Sequence, residues 1–349
     1  LAVELRDVEI TTRDGKQSDK EKFERYAMQV VLVPGADGRF DLAQEADIEG
    51  WSSSATLPGV GALQMELRRG RQQMRLSAVS SAQVSRATAA IGAIIGELAG
   101  SDGKASPSID AQARVLVASL RDIATRIEAD QTMDDLSVEV ANVGTVSVDE
   151  ARFGIGGESR AGKLHAWLDF SMAGLDADAL PKNIRRYLPS RIAMRPSLAG
   201  VDIERVHALM EAAASANPDY AKLDAEANAI LSDPSVRIGL EFLRVEMDQL
   251  RIEGNALVRT LGPHKYGLDA RLAAQGLDDL MAEANKDPEL RDMLPFLAMA
   301  KGMGRAEGGK IVWDIAATDD QVLVNGVDMR TLGGGSAPPG KGARPGSKR

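Results

Sequence analysis

The sequence predicts an α+β fold in which repeated antiparallel β-hairpins form a curved sheet flanked by helical segments. Three observations carry that prediction. An eight-residue pattern recurs at 3–10 (VELRDVEI), 146–153 (VSVDEARF) and 245–252 (VEMDQLRI), apolar each time at its first, third, sixth and eighth positions. A run of period-two alternation follows each copy, and the stretches between the hairpins change to helical spacing.

The recurring pattern has an irregular step. Strict strand alternation keeps apolar residues two apart, whereas the pattern skips three residues in the middle. A bulge or tight bend at Arg6-Asp7, Asp149-Glu150 and Asp248-Gln249 re-phases the side chains and returns the apolar set to one face. The acidic residues there are read as structural.

The alternating runs place Tyr26, Met28, Val30 and Leu32 on one face, then Leu164, Ala166, Leu168, Phe170 and Met172, then Tyr266, Leu268, Ala270, Leu272 and Ala274. These read as half-buried antiparallel strands, with Lys163 and Asp169 turned away from the apolar side. The second and third end at Gly174-Leu175-Asp176 and Gly276-Leu277-Asp278, the first more loosely at Gly35-Ala36-Asp37. Helices are expected at 82–99, 109–128, 203–215, 220–232 and 277–301, the last broken near Pro288. Further strands are expected at 46–51, 63–68, 74–79, 191–198, 310–316 and 321–325, the last pair turning at Asp319-Asp320. Residues 1–130 then hold the first hairpin with its helices, and 131–332 hold two further repeats and a closing hairpin. Residues 333–349, rich in Gly, Pro, Ser and Ala with four basic residues and no acid, read as a disordered basic tail.

Composition excludes several functions. The chain has 349 residues, a net charge of −9 and only 4% aromatics, so general affinity for nucleic acid or an anionic membrane surface is not expected. With no cysteine, disulfides, iron–sulfur clusters, thiolate metal sites and cysteine nucleophiles are excluded. The apolar stretch at 82–99 is interrupted by Arg86 and Glu97 and falls short of a membrane span, and its Gly92 and Gly96 read as a close helix contact. The first residue is Leu1. A removed signal peptide or membrane anchor is one expectation, a trimmed chain the other.

No catalytic motif is present: there is no HExxH, GxSxG or Walker-type loop. His165 and His264 occupy corresponding repeat positions, and His207 lies four residues before Glu211 on a helical stretch; all three read as structural. Gly154-Ile155-Gly156-Gly157 reads as a hairpin turn instead of a phosphate cradle. Arg68-Arg69-Gly70-Arg71 and Arg185-Arg186-Tyr187 read as solvated loops or anion contacts. No cofactor and no metal site is expected.

With its repeated strands and the closing Ile311-Val312-Trp313-Asp314 and Val324-Asn325-Gly326 segments, the chain resembles membrane-anchored or secreted periplasmic proteins of the Gram-negative cell envelope, distantly similar to the AsmA-type lipid-handling families. The resemblance covers roughly residues 1–329 as pattern and carries no catalytic residue. It implies a curved sheet whose concave face holds acyl chains. Leu164, Leu168, Phe170, Met172, Leu268 and Leu272 are then the candidate lining residues. The expectation is a non-catalytic envelope protein binding a lipid or other apolar ligand in a sheet groove, with a scaffold that binds an envelope protein partner as the alternative. Membrane association through a missing N-terminal segment is compatible with both.

Overall fold

In the computed structural model, residues 1–14, 17–57, 61–100, 107–121, 123–214, 218–262, 265–288 and 290–332 are described. The first four strands are long: β1 (Ala2–Asp14), β2 (Gln17–Pro34), β3 (Arg39–Leu57) and β4 (Gly61–Ser80). Two helices, α1 (Ser81–Gly100) and α2 (Pro107–Leu120), precede β5 (Arg126–Val140), β6 (Gly144–Arg160), β7 (Lys163–Ala173), the short β8 (Asp176–Ala177) and α3 (Lys182–Arg185). Next come β9 (Arg191–Asp202), α4 (Ile203–Ala213), α5 (Tyr220–Leu231), β10 (Arg237–Glu246), β11 (Arg251–Gly262) and β12 (Lys265–Gln275). The chain continues through α6 (Leu277–Lys286), a 3-10 turn at Arg291–Met293, α7 (Leu294–Met303), β13 (Arg305–Glu307), β14 (Lys310–Thr318), β15 (Gln321–Val324), β16 (Val327–Asp328) and α8 (Met329–Leu332).

All sixteen strands join one open antiparallel sheet, with β1 at one edge and β16 at the other. The order follows the chain as a meander, and only β8 and β13 lie off the path. The α+β class and the curved antiparallel sheet are therefore as the alternation predicts. The sheet runs unbroken through β5, within which the 130/131 division falls.

Register sorts the side chains onto two faces. Across twelve strands one row reads Leu5, Tyr26, Ile48, Gly70, Met133, Ala151, Met172, Ile192, Val245, Ile252, Ala274 and Ile311, each paired with the next. One residue along, the adjacent row reads Arg6, Arg25, Glu49, Arg69, Asp134, Glu150, Ala173, Arg191, Glu246, Arg251 and Gln275. Because successive side chains point to opposite faces, the sheet has one apolar and one charged face.

Beyond the charged row runs a seam at Asp7, Glu24, Gly50, Arg68, Asp135, Asp149 and Gly174, where ladder pairing lapses. Asp7, Gly50, Asp135 and Gly174, on alternate strands or at a strand end, have positive φ of 51°, 59°, 52° and 67°. Their neighbours fill the space. Glu24 lies over Gly50, Asp149 lies over Gly174, and Arg68 pairs with Asp135 at 2.5 Å. Past the seam, Leu67 has returned to the face of Gly70, since a Cβ on Gly70 would stand 3.1 Å from the Leu67 side chain. This is the re-phasing that the irregular step requires.

Several expectations are corrected. The third copy at 245–252 is the β10–β11 turn instead of a bent strand, closed by Met247 N–H donating to Leu250 C=O at 2.8 Å, so the polar pair there reverses the chain. The helix expected at 109–128 ends at Leu120, and residues 126–128 open β5. The segments 63–68 and 74–79 are one strand, β4. Gly154 to Gly157 lie inside β6, where Trp167 covers Gly156: a Cβ there would meet its ring at 2.2 Å. The arginines at 68–71 are strand residues facing Asp135 and Asp47, and a Cβ on Gly92 or Gly96 would meet nothing within 4 Å, so no close helix contact forms there. The tail at 333–349 and His264 lie outside the described residues.

Helices cover parts of the apolar face, at the end of β4, where Val79 is buried beside α1, and at two buried clusters. Val201, Ile230 and Val236 bury themselves with Leu164, Leu198, Val206 and Leu209, which seats α4 and α5 on the end of β9. The carboxylate of Asp202 starts α4 by accepting from the N–H groups of Glu204 and Arg205. At the opposite strand ends, Leu250, Ala274 and Leu277 pack with Leu280, Met281, Leu297, Ile311 and Trp313, which seats α6 and α7. Trp313 Nε1 donates to Ala300 C=O at 2.8 Å and ties strand to helix.

Candidate functional site

Between these helical clusters the apolar face lies open. Phe153, Ile155 and Leu168 are 46%, 50% and 40% exposed, and Ile127 on β5 continues the patch. Ile155 and Leu168 face one another across β6 and β7, and Ile127 pairs with Gly157 two residues further along β6. An exposed apolar surface spanning neighbouring strands is a mark of an interaction site.

All six candidate lining residues lie on this face, as their pairing shows. They do not share one environment. Leu164 is packed against α4 and α5, whereas Leu168 is exposed on the open strip. Phe170 and Met172 are half-buried beside Phe153 and Ala151. Leu268 and Leu272 lie farther along on β12, with Leu272 lying over Gly254. The face is an open platform, not a closed groove.

A hollow lies on the other face. It encloses about 700 Å³ and is floored by β6, β7, β9, β10, β11 and β12, with Arg152, Asp169, Arg195, Phe242, Arg244 and Arg271 among its lining residues. In this region the sheet is concave on its charged side, opposite to the side that acyl chains would need.

Most of the charges in the hollow are paired. Arg195 donates from Nε and a terminal nitrogen to the two carboxylate oxygens of Asp169, at 2.7 and 3.0 Å, and its guanidinium stands 3.7 Å from Glu241. The Asp169 carboxylate holds Arg195 charged, with its pKa pushed above the ordinary arginine value despite partial desolvation. Arg195 also lies over the ring of Phe242 at 5.6 Å. Arg152 pairs with Asp130, and Arg271 pairs with Asp314 and Glu307. Arg191 has no carboxylate partner among the described residues.

His165 lies next to this network, with Nδ1 3.7 Å from Glu158, Nε2 3.5 Å from Glu241 and its ring centroid 5.2 Å from that of Trp167. Arg126 covers Trp167 at 5.7 Å. These contacts are electrostatic when the imidazole is protonated. Among the described residues no group of three or more His, Asp or Glu is arranged to hold a metal ion, and no helix is long and apolar enough to cross a membrane.

Of the candidate lining residues, Phe170 and Met172 also border the hollow, whereas its charged residues were not singled out from sequence. Arg195, Glu241 and Phe242 sit on strands far apart in the chain, and an extra residue in β10 between Leu240 and Phe242 brings Phe242 opposite Arg195. The one available signal was the alternate set of positions in the same strands, where Asp169 and His165 stand out. No family model matches the chain, and no curated protein or solved structure matches it either.

Proposed function

We propose that this chain is a non-catalytic protein of the Gram-negative cell envelope, placed in the periplasm, that binds lipid acyl chains or another apolar ligand on the apolar face of its sheet. The observation that supports this reading is the strip of Ile127, Phe153, Ile155 and Leu168 left open between two helical clusters. Shedding water from such a surface is favourable at roughly 25 cal/mol per Å² of apolar area, so an extended hydrocarbon gains along the whole strip. The mode is an open platform, which replaces the groove expected from sequence.

The test is to purify the protein from its membrane-containing lysate, extract it with organic solvent and analyse the extract by mass spectrometry. Stoichiometric lipid is expected with the native protein and its loss with Ile155→Asp combined with Leu168→Asp. Both positions are exposed, so the double variant should remain folded by circular dichroism. Lipid absent from the native protein, or equally retained by the folded variant, overturns the reading. A second reading, a scaffold that docks an envelope protein partner, is supported by the same exposed strip, which an apolar protein surface would also cover.

A further inference from the structure

In one corner of the hollow on the charged face, the pairing of charges fails. Asp169 and Glu241 hold Arg195, Asp130 holds Arg152, and Asp314 and Glu307 hold Arg271. Arg191 and Arg244 also line the hollow, and they are not held in this way. Neither donates a hydrogen bond among the described residues; Arg191 has no ion pair there, and Arg244 stands 3.9 Å from Glu246.

The shortage is local. Where β9, β10, β11 and β14 meet, Arg191, Arg244, Arg251 and Lys310 share the carboxylates of Glu246 and Glu253. Register sets Glu246 between Arg191 and Arg251, and sets Arg244 opposite Glu253. Arg251 stands 3.6 Å from Glu246 and 3.7 Å from Glu253, while Lys310 donates a hydrogen bond to Glu253. Even the buried Nε of Arg251 finds no hydrogen-bond partner. The positive charge left over falls to Arg191 and Arg244. They are diagonal neighbours on β9 and β10, a separation of roughly 7–8 Å. The floor beside them is small: Ala173 stands opposite Arg191, Ala193 opposite Arg244, and Ser171 opposite Ala193 with its hydroxyl.

We propose that Arg191 and Arg244 bind a phosphate monoester group in this hollow. Such a group carries close to two negative charges at neutral pH, which matches two unneutralised guanidiniums. Its oxygens suit their paired N–H groups, which a single carboxylate shared among several cations does not satisfy. At about 700 Å³ the hollow also has room for the moiety that the phosphate esterifies. Glu150 opposes binding. Its carboxylate lines the hollow without an ion pair among the described residues, two strands from Arg191 across Ala173. The site lies on the face opposite the apolar strip, and it stands whether or not lipid binds there.

Calorimetric titration of the native chain tests this with inorganic phosphate, with glycerol phosphate, and with phosphatidylcholine vesicles containing phosphatidic acid, whose headgroup is a phosphate monoester. Binding of a soluble probe assigns a soluble ligand, and binding of the vesicles alone assigns a lipid headgroup. In either case Arg191→Gln and Arg244→Gln should each weaken binding roughly tenfold or more. Arg271→Gln makes the same charge change in the same hollow, but at a guanidinium already held by Asp314 and Glu307, which Arg305 continues to pair. It should alter binding by less than about twofold, since a distant exposed charge is screened. Glu150→Gln should tighten binding, because it removes a like charge. All four positions are exposed, so the variants should keep the native circular dichroism. No binding of any probe by the native chain, binding undiminished by Arg191→Gln and Arg244→Gln, or an equal loss with Arg271→Gln or Glu150→Gln overturns the proposal.

Discussion

The Leu5 row and the Arg6 row lie one residue apart along the same strands, yet different physics holds them. The apolar row is stabilised where something covers it: Ala274 and Ile311 are packed beneath α6 and α7, whereas Leu5 at the other end of the row is exposed. The charged face needs no cover, because guanidinium groups on it pair with carboxylates of neighbouring strands. Arg25 bridges Glu4 and Glu49, and Asp47 faces Arg69 and Arg71. A sheet this wide thus exposes both faces, the charged one through its own ion pairs and the apolar one in the strip between its helices. The contrast teaches that position along a row matters more than residue type.

The largest expected effect tests that statement on the apolar face. Trp313→Ala removes a ring packed among Leu297, Ile311 and Met281 and strands the Ala300 carbonyl, so it should cost about 3–5 kcal/mol in urea unfolding. Leu168→Ala, on the same face but in the open strip, should cost under about 1 kcal/mol. Equal costs would break the comparison, because they would show that something covers Leu168 as well.

On the charged face the expected effect is smaller. Asp169→Ala leaves Arg195 without its two-pronged partner and with only Glu241 at 3.7 Å, for a cost of about 1–2 kcal/mol. Aspartate at this position reads from sequence as a solvated strand residue, and the structure gives it a partner instead. A cost within measurement error would mean that water replaces Asp169 at the guanidinium.

How much of this was legible depends on whether the signal was local. The strands β7, β12 and β14 announce themselves because their alternation is uninterrupted over several residues, and β1 and the first half of β6 because the same irregular step recurs in both. β5 is hidden because Ile123 and Ile127 stand four apart and continue the helical spacing of the preceding segment, while farther on the positive φ of Asp135 interrupts the alternation between Met133 and Leu136. At 245–252 the pattern located a bend but not its size, since a kink within a strand and a reversal between strands need the same polar residues. The open strip was legible only as a face: Leu168 and Leu164 are equivalent in sequence, and only the seating of α4 and α5 separates them. The hollow was illegible, since its register across six strands is a long-range property.

A smaller effect of opposite sign sharpens the contrast between sheet and helix. Gly92 in α1 has open space where a Cβ would go, so Gly92→Ala should stabilise by about 0.5–1 kcal/mol through helix propensity. Gly156→Ala in β6 should destabilise and blue-shift or quench the tryptophan fluorescence, because its Cβ lands on the Trp167 ring. Gains at both positions would show that Trp167 does not rest on the strand.

The smallest effect concerns pH and separates the two faces by chemistry. Lys310, hydrogen-bonded to Glu253, holds that carboxyl below the usual glutamate range, outweighing the opposing effect of desolvation. The folded state therefore binds a proton at Glu253 less readily than the unfolded chain does. The stability this contributes is fully present above the ordinary glutamate value, about 4.3, and is lost as pH falls through the lowered folded value. The carboxylate is about one-third exposed, so the loss is modest and screened by salt. Urea midpoints of the native chain should fall between pH 6 and pH 3 by more than those of Lys310→Gln, and the excess should shrink in high salt. The cost of Trp313→Ala should stay the same over that window, because no titrating group takes part in its packing. An acid-sensitive cost for Trp313→Ala would mean that the two faces are energetically coupled through the sheet, and an unchanged slope for Lys310→Gln that Lys310 does not hold the Glu253 carboxylate.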